Sequence, residues 1–319
     1  MRFLFVVHRS APFSGGSEVY VHAMAKEAHR RGHEVAVLAG EHYGEFEGIR
    51  ITNDANILML KWDLIVVHGF GPSVQNFVLQ IAKDIPSPIL YMLILPSDDP
   101  ASIKAMLDCK YLGWSTLSDI NHLQKYNVAN KAVHIRHGIN PQECLGSLGF
   151  KNKYNITQRM FLSCGGYWHN KLMKELVDVF IKADIKDAVL VTTGYDNRSN
   201  LMPDPVPGKI IPLMIDDRKE VLSAILEADC YLMHSSQEGF GLVILESMLN
   251  LTPWIARDIA GPTLLKQFGK TYTSDDELIT LLQNFNPKDF DLYLAEQHVI
   301  SNHLIANTID DIEAVVNNK

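Results

Sequence analysis

The stretch "SSQEGFGLVILESMLN", Ser235 to Asn250, places two carboxylates, Glu238 and Glu246, on either side of a glycine-framed bend. Helical spacing puts Leu242, Leu245 and Leu249 on one apolar stripe, and Glu246 falls on that same stripe. Burying an unpaired carboxylate costs several kcal/mol, on the order of 3–5 when a buried pair is broken. Glu246 therefore needs a ligand with paired hydroxyls, such as a ribose diol, or a neighbour in the protein, or a place at the stripe's edge from which it snorkels out. Glu238, just ahead of the helix, can serve a second polyol in the same way. Gly239 and Gly241 break the chain there, and Phe240 between them can anchor the bend by burial. The N–H groups that follow are expected to face a ligand.

Four other loops hold residues of chemical interest. In "HRSAPFSGGSEVY", Gly15 and Gly16 precede a helix, which suits an approaching phosphate or substrate. The same glycines fit a plain turn with Ser17 as the cap. In "VVHGFG", His68 ends a strand, where it can bond a sugar hydroxyl, pass a proton, or simply be structural. In "RHGIN", Gly138 suggests a turn with positive φ, while His134 and His137 point to opposite faces of an extended segment and do not make a metal pair. In "CGGYWHNKLMKEL", Gly165 and Gly166 permit close backbone approach. Lys171 lies near the start of the following helix, where the macrodipole disfavours a cation unless an anion is beside it. A solvated surface lysine is the alternative. "DFD", Asp289 to Asp291, has an Asp-x-Asp look but is expected on a surface helix, and no metal site is expected.

Short β-rich runs alternate with helical patterns, which predicts parallel sheets with crossover helices. "FLFVV", "EVAVL", "DLIVV", "PILYMLI" and "AVHIR" form a first series. The pattern restarts near residue 150 with "RMFLSC", "AVLVTT", "KIIPL", "CYLM" and "PWIA". The fold expected is α/β with two Rossmann-like, doubly wound domains, 1–148 and 149–319, joined by "LGSLGFKNKYNITQ". Ligands of such sheets bind at the C-terminal ends of the strands, where these loops lie. "KDFDLYLAEQHVI" and "LIANTIDDIEAVV" read as terminal helices.

The 319 residues suffice for two such domains, and 47% hydrophobic with 21% charged residues is a globular composition. A net charge of −8 argues against non-specific nucleic-acid binding, which needs a basic footprint. Four scattered cysteines without metal or redox spacing, a short N-terminal apolar run and no span-length apolar stretch make a cytoplasmic protein the expectation. The sequons "NIT", "NRS" and "NLT" carry no meaning in that compartment.

"EGFGLVILE" resembles the Glu-x7-Glu motif of the family-four retaining glycosyltransferases, which have the GT-B fold. "CYLMHSS" is similar to that family's preceding strand and Pro-Ser, "PFSGGSEVYVHAMAKEAHRRGHEVAVL" to its opening, and "HGIN" to its Asn-Gly-Val-Asp segment. The similarity spans nearly the whole chain. It implies a retaining, metal-independent glycosyltransferase with two domains facing a cleft. The co-substrate would be a nucleotide-diphosphate sugar of the UDP- or GDP-hexose type, the acceptor a hydroxyl compound, and no other cofactor is implied. Glu246 would bind the ribose; Glu238, with the backbone at Phe240, Gly241 and Leu242, the donor sugar; Lys171 the diphosphate; Gly15 and Gly16 the diphosphate from the first domain. His68 would lie near donor sugar and acceptor, and Leu213 or Met214 near the base. The last helix, residues 302–319, would pack back on the first domain.

Two positions depart from the family pattern Gly-Arg-x-x-x-x-Lys-Gly: Gly166 stands for the arginine and Leu172 for the last glycine. Arg9 and Arg136 are the cations from which a replacement charge would come. The departure also raises the alternative of a catalytically weak nucleotide-sugar-binding partner protein. A nicotinamide dehydrogenase, which shares doubly wound sheets, would need the GxGxxG that this sequence lacks.

Overall fold

The computed structural model describes residues 1–317 other than Pro12, Ser14, Phe70, Pro72, Ser73, Pro96 and 197–199. Two compact units make up the chain: Met1–Ile139 with His303–Lys319, and Asn140–Asn302.

The first unit runs β1 (Arg2–Arg9), α1 (Gly16–Arg30), β2 (Glu34–Glu41), β3 (Gly44–Phe46), β4 (Ile49–Thr52), β5 (Leu64–His68), α2 (Val74–Gln80), β6 (Ile89–Met92), α3 (Pro100–Asp108), β7 (Tyr111–Trp114), α4 (Leu117–Lys125) and β8 (Ala132–His134). Its sheet has the order β3-β4-β2-β1-β5-β6-β7-β8, parallel except where β3 meets β4. Helices cover both faces, so the central strands are apolar without alternation. Phe3, Leu4, Phe5 and Val6 are all fully buried. Strand order reverses between β1 and β5, so the loops after Arg9 and His68 open side by side.

The second unit runs α5 (Pro141–Cys144), α6 (Phe150–Lys153), β9 (Arg159–Cys164), α7 (Met173–Ala183), β10 (Ala188–Gly194), β11 (Ile210–Met214), α8 (Arg218–Glu227), β12 (Cys230–Met233), α9 (Leu242–Leu249), β13 (Trp254–Arg257), α10 (Ala260–Leu265), β14 (Lys270–Tyr272), α11 (Asp275–Gln283) and α12 (Leu292–Asn302). All six strands are parallel, in the order β11-β10-β9-β12-β13-β14, and the reversal falls between β9 and β12. The chain then returns to the first unit as α13 (Ile305–Asn317).

Several expectations need correction. The units divide after Ile139 rather than after residue 148. The intervening segment is stitched into the second unit: Gly146 N–H donates to Asn250 Oδ1 at 2.8 Å, Asn250 Nδ2 to the Cys144 carbonyl at 2.8 Å, and Gly149 N–H to Glu227 Oε1 at 2.5 Å. Strands β3, β4, β7 and β14 are not among the runs expected from the sequence. "DFD" does not lie on one helix: Asp289 ends a 3-10 turn, and α12 begins only at Leu292.

Gly138 is bare for a different reason than a left-handed turn. A Cβ there would lie 2.2 Å from the Leu304 carbonyl oxygen, where the segment entering α13 presses in. That segment is held by Ile139 N–H to His303 O and Ile305 N–H to Ile139 O, both 2.9 Å. Helix α13 itself is fastened by Arg136, whose Nε and Nη2 donate to Asp311 at 2.9 and 2.6 Å. Among the described residues, no helix is long and apolar enough to cross a membrane.

Candidate functional site

The switch point of the second sheet brings the loops after β9 and β12 together. Ser236 N–H donates to the Asn170 carbonyl at 2.8 Å, and Asn170 Nδ2 to the Gln237 carbonyl at 3.2 Å. Lys171 ends a 3-10 turn, His169–Lys171, on one loop, and Glu238 lies on the other. Lys171 Nζ donates to Glu238 Oε2 at 2.6 Å, with the two side chains 20% and 18% exposed. Burial works against the Lys171 charge, but the charge and hydrogen bond of Glu238 outweigh it and raise the lysine pKa. Ser235 Oγ also reaches Glu238 Oε2, at 3.4 Å. Glu238 Oε1 has no partner among the described residues.

Backbone geometry explains the small residues. Gly165 has φ +148°, a conformation that side chains rarely adopt, and it lies against the Lys171 stem. Leu172 adopts a left-handed conformation, φ 50° and ψ 44°, as the last glycine of the family pattern would. Gly241 has φ 86° and opens α9, and Phe240 before it is buried. Helices α7 and α9 both begin without a side-chain cap, whereas α8 is capped by Asp217 and α11 by Ser274. The first turns of α7 and α9 are thus not closed by an N-cap side chain.

Glu246 is buried in α9, and the protein itself supplies its partner. Arg218 Nη2, from the first residue of α8, donates to Glu246 Oε1 at 2.6 Å and to Cys144 Sγ at 3.4 Å. Burial opposes the Arg218 charge, and Glu246 more than compensates, so the guanidinium pKa is raised. The stripe is wider than the leucine spacing implies: Ile244 through Leu249 are all buried, while Leu242 is only half-buried. Helices α8 and α12 and strand β13 pack around it.

Behind the Glu238 loop, His234 stands where the resemblance has proline. Arg257 Nη2 donates to His234 Nε2 at 2.9 Å, so Nδ1 carries the proton and donates to the Tyr272 hydroxyl at 2.7 Å. The Tyr272 hydroxyl in turn donates to the Met233 carbonyl at 3.3 Å. Burial, then the Arg257 charge, lower the His234 pKa to about 4.

No arginine fits at Gly166 as the chain stands. A Cβ there would lie 1.9 Å from Trp168 Nε1, so the indole occupies the space. The buried Tyr167 hydroxyl donates to the carbonyls of Thr192 and Leu213, each at 3.0 Å, which ties the loop to β10 and β11. Leu213 and Met214 end β11, the latter 52% exposed.

In the first unit, Gly15 caps α1 and Gly16 is its first residue, so Ser17 is not the cap. A Cβ on Gly15 would meet Glu18 Oε2 at 2.2 Å. His68 is buried against Tyr20, ring centroids 5.3 Å apart, and Tyr20 stacks on His137 at 4.9 Å. Burial lowers the His68 pKa to about 4; burial and then the neighbouring histidines lower that of His137 to about 3. His68 Nδ1 has no partner among the described residues. His134 stacks on Trp114 and is separate from this group. Arg136 is committed to Asp311, and Arg9 to Glu18 at 3.2 Å and to the Phe13 ring.

Arg218, Ser235, Asn170 and Trp168 were not singled out from the sequence. A cation four residues after the end of β11 has no spacing signal toward Glu246. The carboxylate's own need for a partner was the available clue.

Residues 150–271 match the family described as Glycosyl transferases group 1. No curated protein matches the chain in sequence. Among solved structures, it resembles sucrose-phosphate synthase from Thermosynechococcus elongatus at TM-score 0.79, with 13% identity over 99% of both chains. It also resembles Anabaena Alr3699/HepE in complex with UDP-glucose at 0.78, with 14% identity over 100% of both. WaaG, a glycosyltransferase involved in lipopolysaccharide biosynthesis, follows at 0.69, with 14% identity over 99% of this chain and 100% of that one. Two parallel α/β sheets of this kind give the chain the GT-B fold, and residues 150–271, in the second unit, are the part similar to the glycosyl transferases group 1 family.

Proposed function

We propose that the protein transfers a hexosyl group from a nucleotide-diphosphate sugar to a hydroxyl acceptor, with retention and without a metal. The observation that carries this reading is the Lys171–Glu238 pair at the switch point, beside two helix N-termini that have no side-chain cap. The donor diphosphate would take its place before Lys171 and these N–H groups. Glu238 would then accept hydrogen bonds from sugar hydroxyls, and Glu246 from the ribose. As the bond from the sugar's anomeric carbon to the phosphate oxygen breaks, negative charge grows on the departing diphosphate. A fixed cation and oriented N–H groups stabilise that charge. The acceptor oxygen bonds to the anomeric carbon on the same face, and its proton passes to the leaving phosphate oxygen. No side-chain nucleophile is needed. His68 in the first unit is neutral at physiological pH. A cytoplasmic location suits nucleotide-sugar chemistry.

A second reading, a nucleotide-sugar-binding protein of low turnover, is favoured by one observation: the Trp168 indole fills the space beside Gly166. Incubation with UDP-glucose and GDP-mannose across a panel of hydroxyl acceptors, followed by mass spectrometry, separates the two. Transfer or slow donor hydrolysis that Glu238→Ala abolishes supports the enzyme. Donor binding with no turnover throughout supports the second reading, and no binding rejects both.

A further inference from the structure

Glu246 is placed as if half of its carboxylate were reserved. Its Oε1 is held by Arg218 Nη2 at 2.6 Å, and Oε2 has no partner among the described residues. Glu238 shows the same division, with Oε2 held by Lys171 and Ser235. Arg218 is itself constrained. It is the first residue of α8, behind the Asp217 cap that accepts from Lys219 N–H at 2.9 Å, and its Nη2 also rests on Cys144 Sγ. Burial raises the Cys144 thiol pKa to about 12, so this neighbour stays uncharged. Asn250, at the end of α9, donates to both the Glu246 and the Cys144 carbonyls at 2.8 Å, which fixes the helix against the same turn. A cation at a helix N-terminus opposes the macrodipole, and the Glu246 carboxylate is what compensates it.

Resting on the nucleotide-sugar reading above, we infer that Arg218 is a positioning residue for ribose recognition. It pins one oxygen of Glu246 so that the other accepts from the ribose 2′-hydroxyl. A carboxylate free to rotate presents no fixed acceptor. Hydrogen bonds to a charged group change affinity by about ten- to a hundredfold, so the arrangement gives a preference for ribose over deoxyribose.

The test is isothermal titration of the full-length protein with UDP, 2′-deoxy-UDP, GDP and 2′-deoxy-GDP. Wild-type protein is expected to prefer the ribose form of its nucleotide by about tenfold or more. Arg218→Ala is expected to shrink that preference to about twofold or less, and Arg218→Lys to restore most of it. Arg218→Gln, which keeps a donor without the charge, is measured beside them in case the alanine variant does not fold. In a Glu246→Ala background, the Arg218 substitutions are expected to have no further effect on the preference. Wild-type protein that binds none of the four nucleotides overturns the nucleotide-sugar reading itself. Binding without a ribose preference, or a preference that survives in the folded Arg218 variants, overturns the Arg218 role alone.

Discussion

Lys171 Nζ stands 2.6 Å from Glu238 Oε2, bridging the two loops that open where the second sheet reverses its strand order. On the proposed reading, the pair joins the residue that would receive a diphosphate to the one that would receive sugar hydroxyls. Glu238 keeps Lys171 charged despite its burial, and the contact holds the two loops together.

Removing the cation is therefore expected to act on turnover more than on folding. Lys171→Ala should lower turnover of the donor by about a hundredfold or more, the scale seen when a group that stabilises developing charge is lost. Steady-state kinetics beside a thermal unfolding curve checks this. The Lys171 pKa is raised in the folded state, so the pair's contribution is complete below the ordinary lysine range. Wild-type stability from this source should be flat through neutrality and fall only above about pH 10.

Restoring the arginine of the resembled pattern should fail by itself. In Gly166→Arg the new Cβ meets the Trp168 indole, and displacing it is expected to cost about 1–3 kcal/mol. Gly166→Arg with Trp168→Ala frees the space and should bind a nucleotide diphosphate more tightly than wild type. Denaturant unfolding and titration calorimetry on both variants decide the matter, and equal stability of wild type and Gly166→Arg would count against the packing argument.

Leu172 holds a left-handed conformation that costs a side chain roughly 1 kcal/mol. Leu172→Gly is expected to be neutral within about 1 kcal/mol, relief of strain offsetting chain entropy and lost contact. Leu172→Val, branched at Cβ, should destabilise by about 1–2 kcal/mol. A reversed order in urea unfolding would contradict the backbone reading.

His68, His137 and His234 are buried with pKa values lowered to about 4, about 3 and about 4. Below an ordinary histidine pKa of about 6.5, the unfolded chain binds protons that the folded protein refuses. Stability should therefore decline as pH falls from about 6.5 toward 4, by up to about 1.4 kcal/mol per pH unit for each ring. His68→Gln should remove one ring's share of that slope. Unfolding curves taken across this range, with an unchanged slope in the variant, would show that His68 is not one of the groups responsible.

Much of the architecture was legible before any coordinates. Unbroken apolar runs such as "FLFVV" and "AVLVTT" announce parallel strands covered on both faces, and their alternation with helical patterns announces two doubly wound sheets. The glycine-framed bend and the glutamates around it were visible because special backbone and misplaced charge break a local pattern. Short strands at the sheet edges, such as β3 and β14, were not, because their pairing comes from neighbours rather than from their own period.

What the sequence by itself determined was the fold class, the loops that meet at the ends of the strands and the need of Glu246 for a partner. Which partner was decided only in three dimensions. Glu246 meets Arg218, twenty-eight positions earlier, because β11 and β12 lie in one sheet and direct α8 onto α9. Gly166 faces an indole two residues away because that loop folds back on itself. Residue type and spacing set which groups need pairing; the folded chain, by closing distances that no local pattern encodes, selects the pairs.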